Sequence, residues 1–266
     1  MFADETIHFT TKCRARGSVC LENFSHKTLP FGSTMSCTIT EKSNRIHALV
    51  HAIMQFFEIN LAQAKGVDQV LEKMQSMDLS LGATVDVPPC DTRHASVLRE
   101  AIEGITAPGL GDISNCLKDA RRDLVWREDN AQFYPPKADL GDGYRNCNLH
   151  SLLIGPNACG FEAQDFCLGL FMLGPRTLYR DHAHDAPELY VNLSPRSGWR
   201  LSTGGWQDYE AGSIIWNAPG EPHATRAYDR PFLSVFVWLE NINAVCRVIP
   251  FPDWTEIEER LCRNEF

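Results

Sequence analysis

The first half of the chain has the apolar spacing of amphipathic helices. Residues 1–38 show no clear period and are predicted to form a loosely packed arm. Beyond them, apolar residues recur every three or four positions, which places them on one face of a helix. A capping box at Thr38 and Glu41 would begin the first helix. A second helix follows, Asp91 is a good N-cap for a third, and a short fourth is predicted near residues 113–124.

The pattern changes near Trp126, where turn residues begin to separate short strand-like runs. Pairs such as Pro135-Pro136 and Gly204-Gly205 mark the turns. Runs with strand character cover residues 149–154, 166–173, 188–193, 199–202, 213–216 and 232–239. Many short strands at close intervals are typical of a sandwich or a small barrel.

These patterns divide the chain into three parts. Residues 1–120 are predicted to be mainly helical, residues 121–251 to form a β-barrel, and residues 252–266 to form a C-terminal tail with a short helix. The N-terminal helices are expected to cover a sheet or to make a dimer contact, and to do no chemistry themselves. A homodimer is therefore one expectation.

Composition narrows the class of protein. Apolar residues make up 44% and charged residues 22% of the chain, which is ordinary for a globular protein. The net charge of −9 argues against nucleic acid or an anionic membrane as the main partner. We predict a cytoplasmic protein, because neither a membrane-spanning apolar run nor the features of a signal peptide are found. The 10 cysteines contain no Cys-x-x-Cys pair, so reduced thiols are expected.

The clearest chemical signal is a set of metal-ligand residue types at strand spacing. His182 and His184 are two residues apart, as are Glu188 and Tyr190, and His223 follows downstream. Side chains two apart on a strand share a face, so each pair would point the same way. If that face lines the inside of a small barrel, the ligand atoms converge. Imidazole and carboxylate suit a divalent first-row metal, so one ion of Zn, Fe or Mn is predicted.

The two ligand segments resemble the paired motifs of the cupin superfamily. The first segment has His182 and His184 with Glu188 four residues later. The second begins at Gly212 and reaches His223 through a Pro-Gly turn. This resemblance implies a mainly β fold, the double-stranded β-helix or jelly-roll barrel, preceded here by a helical region.

Three aromatic residues narrow the match to one family within the cupins. Tyr190 lies two residues after the glutamate, Tyr179 three before His182, and Trp238 fifteen after His223. These positions make the chain similar to the cupin-type dimethylsulfoniopropionate (DMSP) lyases. Those enzymes split DMSP, a small zwitterion, into dimethyl sulfide and acrylate, and the resemblance is clear over residues 120–250.

The resemblance also implies roles for individual residues. His184, Glu188 and His223 match the metal ligands of the family. Tyr190 matches a tyrosine that sits at or near the metal and acts as the base. His182 matches a histidine beside the substrate, whereas strand parity alone puts it on the ligand face, so both roles stay open.

The expected chemistry is a β-elimination. Removing the α-proton of DMSP needs a base and a cation that stabilises the charge developing on the carboxylate. A divalent cation near Tyr190 would favour its phenolate, whose reference pKa is about 10. The leaving group carries a sulfonium charge, which aromatic faces attract. Tyr179 and Trp238 match pocket aromatics of the family, and Trp216 is predicted as a third wall.

Other functions are compatible with the same residues. A cupin with histidine and carboxylate ligands could hold Fe(II) and act as a dioxygenase on a small carboxylate, although Tyr190 would be an odd ligand there. Sugar isomerases rank lower, because no phosphate-binding cluster of Arg and Lys surrounds the motifs. A non-enzymatic small-molecule-binding cupin would retain the metal site without turnover.

Overall fold

The computed structural model describes residues 34–266, with side chains described from Glu41 onward. The predicted N-terminal arm lies largely outside this range. Residues Thr34–Phe266 form one compact unit. No helix in this part of the chain is long and apolar enough to cross a membrane.

Within the described part of the predicted helical region, residues 34–120, four α-helices form as predicted: α1 (Thr34–Ile59), α2 (Val67–Gln75), α3 (Ala95–Glu103) and α4 (Gly111–Ala120). Two predicted helix starts are wrong. α1 begins before Thr38, which lies inside the helix, and the N-cap of α3 is His94 and not Asp91. Packing of the apolar faces fixes these helices, and a local capping pattern is too weak to override it.

The strands of the described residues form two five-stranded antiparallel sheets. They are β1 (Asn148–Ile154), β2 (Cys167–Leu173), β3 (Leu178–Ala183), β4 (Glu188–Asn192), β5 (Arg196–Leu201), β6 (Gln207–Glu210), β7 (Ile214–Asn217), β8 (His223–Arg226), β9 (Phe232–Trp238) and β10 (Arg247–Val248). The orders are β1-β2-β9-β4-β7 and β10-β3-β8-β5-β6. This arrangement confirms the predicted cupin barrel. The list of predicted strands lacks β3, β6, β8 and β10, because these segments are short or polar and show no run of apolar residues.

One apolar core joins the helices to the sheet that contains β4 and β9. Leu49 and Phe57 of α1 are fully buried and belong to the same cluster as Leu189 of β4 and Val235 of β9. Because side chains alternate along a strand, this sheet packs one face against the helices and turns the other into the barrel. Both faces of β9 are therefore covered, and five of its seven residues are buried.

Two shorter helices flank the barrel, α5 (Asp142–Asn146) before β1 and α6 (Trp254–Arg263) after β10. Buried polar contacts tie α6 to the second sheet. Asp181 of β3 accepts hydrogen bonds from Arg200 Nε at 2.8 Å and from Trp254 Nε1 at 2.7 Å. Arg200 also donates to Asp253, beside the start of α6, at 2.5 Å. The helix predicted in the C-terminal tail is therefore held directly behind the strand that carries His182.

Candidate metal centre and active-site cavity

Three histidines meet inside the barrel. His182 lies in β3, His184 follows directly after this strand, and His223 begins β8. The pairing of β3 with β8 sets His182 opposite His223. Each histidine is 2% exposed, and one ring nitrogen of each lies within 4.8 Å of the others. The two-residue spacing puts His182 and His184 side by side, and the pairing of β3 with β8 brings His223 to them.

Backbone carbonyl groups orient all three rings. The Nδ1 atoms of His182, His184 and His223 lie 2.8, 2.9 and 3.1 Å from the carbonyl oxygen of a residue two positions away. A carbonyl oxygen can only accept, so each Nδ1–H donates, and the Nε2 atom is the ring nitrogen left for other partners. Metal-binding histidines are commonly fixed in this way by a partner on the other ring nitrogen.

Glu188 connects two of these histidines. Its Oε2 atom lies 3.2 Å from His184 Nε2 and 3.3 Å from His223 Nε2. Asn217 Nδ2 donates to the same oxygen at 2.9 Å, and Trp238 Nε1 donates to Oε1 at 2.7 Å. Although burial by itself raises the pKa of the Glu188 carboxyl, the adjacent His184 and His223 hold it well below its usual range. The buried group is therefore a carboxylate.

The donor set fits a divalent cation. His223 Nε2 is buried and has no hydrogen-bond partner among the described residues, because its contact with Glu188 lacks hydrogen-bond geometry. A buried polar atom without a partner costs about 1–3 kcal/mol, and a bound cation would remove that cost. Imidazole nitrogens with fixed tautomers and one carboxylate are the ligands that Zn, Fe and Mn accept.

Two overlapping sets of residues are candidates for the metal ligands. The short distances between ring nitrogens favour the set of three histidines. Contacts with the Glu188 carboxylate select His184 and His223 but not His182. His182 instead stacks on Tyr179, with ring centroids 4.1 Å apart and an interplanar angle of 27°. The carboxylate contacts favour His184 and His223 as ligands, because a charged ligand shared by two imidazoles defines a cation position more closely than distance alone.

Tyr190 shares the inward face of β4 with Glu188. It lies two residues further along the strand and lines the same cavity. Burial raises the pKa of the Tyr190 phenol well above its ordinary value, and the nearby Glu188 carboxylate raises it further. Without a neighbouring cation, this phenol is therefore protonated at neutral pH.

A cavity of about 290 Å³ opens beside the cluster. Its size is at the lower end of the range for small-molecule sites, which suits a substrate of few atoms. His182, His184, Glu188 and Tyr190 line one part of its wall. The rest of the wall is rich in aromatic side chains, namely Phe133, Tyr134, Tyr144, Phe171, Tyr179, Phe236 and Trp238.

An aromatic stack extends from the histidines into this wall. The Tyr179 ring lies between His182 and Tyr144, with centroid distances of 4.1 and 4.3 Å. Its hydroxyl also contacts the hydroxyl of Tyr134. Tyr179 and Trp238 are predicted from the sequence as pocket residues, and both line the cavity. Tyr134 and Tyr144 are not predicted, because they lie between α4 and β1, where no periodicity marks a face.

Trp216 lies on the other side of its sheet. In the pairing of β7 with β4, Asn217 stands opposite Glu188 and reaches its carboxylate. Alternation therefore turns Trp216 away from the barrel interior. Its ring packs so closely on Gly66 that a Cβ atom there would lie 2.2 Å from it. The prediction that Trp216 forms a wall of the substrate pocket is wrong.

Comparison with known proteins assigns the family. The family described as dimethylsulfoniopropionate lyase matches residues 62–234, more than half of the chain. The chain belongs to the DMSP lyase family. The resemblance inferred from the histidine, glutamate and tyrosine motifs is thereby confirmed, and the match also includes part of the helical region.

Individual DMSP lyases support this assignment. Over 102 residues, the chain is 29% identical to dimethylsulfoniopropionate lyase DddQ of Ruegeria pomeroyi. The matched segment covers 38% of this chain and 49% of that protein. The match thus spans about half the length of that relative.

Two crystal structures share the fold. One, of the DMSP lyases RdDddP and RnDddQII, superposes with a TM-score of 0.60 at 18% identity, over 79% of this chain and 100% of the other. The other, of DddQ from Ruegeria pomeroyi DSS-3, gives 0.57 at 19% identity, over 76% and 95%.

Proposed function

We propose that this protein is a metal-dependent lyase that cleaves DMSP to dimethyl sulfide and acrylate by β-elimination. Membership of the DMSP lyase family supports this function. The observation that carries it is the placement of His184, Glu188 and Tyr190 in the wall of a small aromatic cavity, with His223 in contact with Glu188. A substrate with a carboxylate head and a sulfonium tail matches both the donor cluster and the aromatic wall.

The proposed metal ligands are His184, Glu188, His223 and Tyr190, with His182 beside the substrate. When bound, a divalent cation would polarise the substrate carboxylate and lower the pKa of the neighbouring phenol. Burial, together with His223 and His184, lowers the pKa of His182 well below its usual value. A neutral His182 has no charge that would repel the sulfonium of the substrate.

Tyr190 is the proposed base. Its phenolate oxygen takes the proton from the carbon next to the substrate carboxylate, and the released electron pair forms the double bond of acrylate. The bond between the β-carbon and sulfur breaks, and its electron pair leaves with dimethyl sulfide. The burial that makes the Tyr190 phenol a weak acid also makes its phenolate a strong base.

Two further groups prepare this step. Trp238 and Asn217 donate to the two oxygens of Glu188 and so fix the carboxylate between His184 and His223. The aromatic side chains make much of the cavity wall apolar, and electrostatic interactions are stronger in such surroundings than in bulk water. The chain therefore supplies position and charge, and the reaction needs no additional acid to release the neutral leaving group.

The direct test is headspace gas chromatography of the purified protein with DMSP, before and after treatment with a chelator. We expect dimethyl sulfide and acrylate in equal amounts, loss of both after chelation, and recovery when one of Zn, Fe or Mn is restored. Elemental analysis of the untreated protein identifies the metal. If the untreated, metal-containing protein releases no dimethyl sulfide, the proposed substrate is wrong.

A further inference from the structure

The cavity wall contains a second carboxylate that the proposed reaction does not use. Among the residues that line the cavity, Asp129 and Glu188 are the acidic ones. Asp129 lies between α4 and β1 and is 7% exposed. Unlike Glu188, it forms no ion pair with a histidine of the described residues, so its burial needs a separate explanation.

The hydrogen-bond donors to Asp129 are neutral. Tyr144 donates its hydroxyl to Oδ2 at 2.7 Å, and the backbone N–H of Gln132 donates to Oδ1 at 3.0 Å. Within residues 41–266, no Lys, Arg or His side chain forms an ion pair with this carboxylate. Arg127 also lines the cavity, but it is exposed and makes no such pair. A buried charge without a counter-charge is costly, so a cationic ligand would be favoured beside it.

The backbone at Asp129 is firmly fixed. Asn148 Oδ1 accepts from the Asp129 backbone N–H at 2.7 Å, and Asn148 Nδ2 donates to the Asp129 carbonyl at 3.2 Å. The same amide donates to the Tyr144 carbonyl at 2.9 Å. Asn148 is itself buried, so the Asp129 backbone is held in place, and turning the carboxylate away would break its hydrogen bonds from Tyr144 and Gln132. The carboxylate is held in the wall as part of the cavity.

Two stacked rings connect Asp129 to the histidine cluster. The Tyr144 hydroxyl contacts Asp129, the Tyr144 ring stacks on Tyr179, and the Tyr179 ring stacks on His182. The cavity therefore offers a donor cluster for an anion at one part of its wall, a carboxylate at another, and aromatic faces between them. This order of charges is complementary to a small zwitterion.

We propose that Asp129 forms an onium subsite, in which its carboxylate attracts the cationic tail of a substrate whose carboxylate head binds at the histidine cluster. A sulfonium or quaternary ammonium group has no N–H or O–H to donate, so charge and aromatic faces must recognise it. An ion pair in a partly desolvated cavity is also stronger than one in bulk water. The identification of the tail as a sulfonium rests on the proposed function.

An isosteric pair of ligands isolates this charge. The compounds 3-(trimethylammonio)propanoate and 4,4-dimethylpentanoate have the same shape and the same carboxylate, and differ by nitrogen in place of carbon. Any effect of the bound metal on the carboxylate is common to both, so the ratio of their Kd values reports the tail alone. Isothermal titration calorimetry of the purified wild type should show a preference of about tenfold or more for the ammonium compound, which corresponds to about 1.4 kcal/mol.

In Asp129→Asn most of the roughly tenfold preference for the ammonium compound should be lost. The Kd of 4,4-dimethylpentanoate should stay within about twofold of the wild-type value. Tyr144→Phe is the matched control, because it removes the hydroxyl that contacts Asp129 and leaves the charge. It should keep the preference. If Asp129→Asn does not fold, Asp129→Ser, which is smaller and still offers an oxygen, replaces it in the same comparison.

An unchanged Kd ratio in the folded Asp129 variant would overturn the subsite, as would a wild type that binds neither compound. The lyase proposal is judged separately by dimethyl sulfide release. A wild type that releases no dimethyl sulfide but loses its ammonium preference in Asp129→Asn would refute the substrate and leave the subsite standing. Normal release of dimethyl sulfide with an unchanged Kd ratio in Asp129→Asn would refute the subsite and leave the substrate standing.

Discussion

The two faces of β4 are equally buried but are held by different forces. Glu188 and Tyr190 point into the barrel, where polar contacts hold the carboxylate. Leu189 and Val191 point outward and pack in the core shared with the helices. A buried carboxylate needs a partner for each oxygen, whereas a buried leucine needs only close packing. The inward face therefore carries the chemistry, and the outward face carries the stability.

The helices supply apolar packing that the polar interior of the barrel lacks. Three buried histidines and a buried carboxylate occupy interior volume that a purely structural barrel would fill with apolar side chains. Groups of this kind contribute little to folding, because their desolvation offsets what their contacts gain. The helices add apolar packing on the other face of the same sheet, where it does not interfere with the cavity.

The largest effect is expected on the inward face. Tyr190→Phe keeps the ring and removes the oxygen that is proposed to take the proton. General base catalysis contributes about 10²–10⁴ in rate, so dimethyl sulfide release should fall by at least that factor. The melting temperature should change little. Near-normal release, or unchanged exchange of the α-hydrogen in D₂O, would place the base elsewhere, with His182 as the next candidate.

Metal content distinguishes the histidines of the inward face. His223→Ala removes an imidazole that contacts Glu188, and it should lose most of the bound metal. His182→Ala should keep the metal and lose rate, because its ring stacks on Tyr179 and does not touch the carboxylate. Elemental analysis of both proteins makes the comparison. Equal metal loss in the two variants would show that His182 is a ligand.

The outward face should respond in the opposite way. Leu189→Ala leaves a cavity in the core between β4 and the helices, and it should lower the free energy of unfolding by about 2–5 kcal/mol. Activity for each folded molecule should stay near the wild-type value. Denaturant unfolding, with kinetics measured well below the transition, separates the two quantities. A loss of rate without a loss of stability would contradict the division between the faces.

The smallest effect is expected for Trp216→Phe. Its indole packs on Gly66 outside the barrel, so the KM for DMSP should not change and stability should fall by about 1 kcal/mol. Trp238→Phe is the matched substitution on the inward side, and there the hydrogen bond to Glu188 is lost. It should reduce activity or metal content. A KM for DMSP that rises only in Trp216→Phe would show that Trp216 does line the substrate pocket.

The sequence by itself determines the local part of this site. A spacing of two residues puts His182 with His184 and Glu188 with Tyr190, whatever the surrounding fold, because side chains alternate along an extended chain. The motif around His223 and the short strands between turns also predict the barrel. These inferences depend on neighbours within one segment, and such neighbours are visible in the chain.

Tertiary structure alone decides which face is inside and what completes the wall. The sequence shows that Trp216 and Asn217 point in opposite directions, but both faces of their sheet are covered, so apolar character does not mark the inward one. The pairing of Asn217 with Glu188 decides it. Tyr144, in the short helix α5, and Asp129 reach the cavity from the segment between α4 and β1, whose path depends on long-range contacts. No periodic pattern records such contacts, because the residues that meet are far apart in the chain.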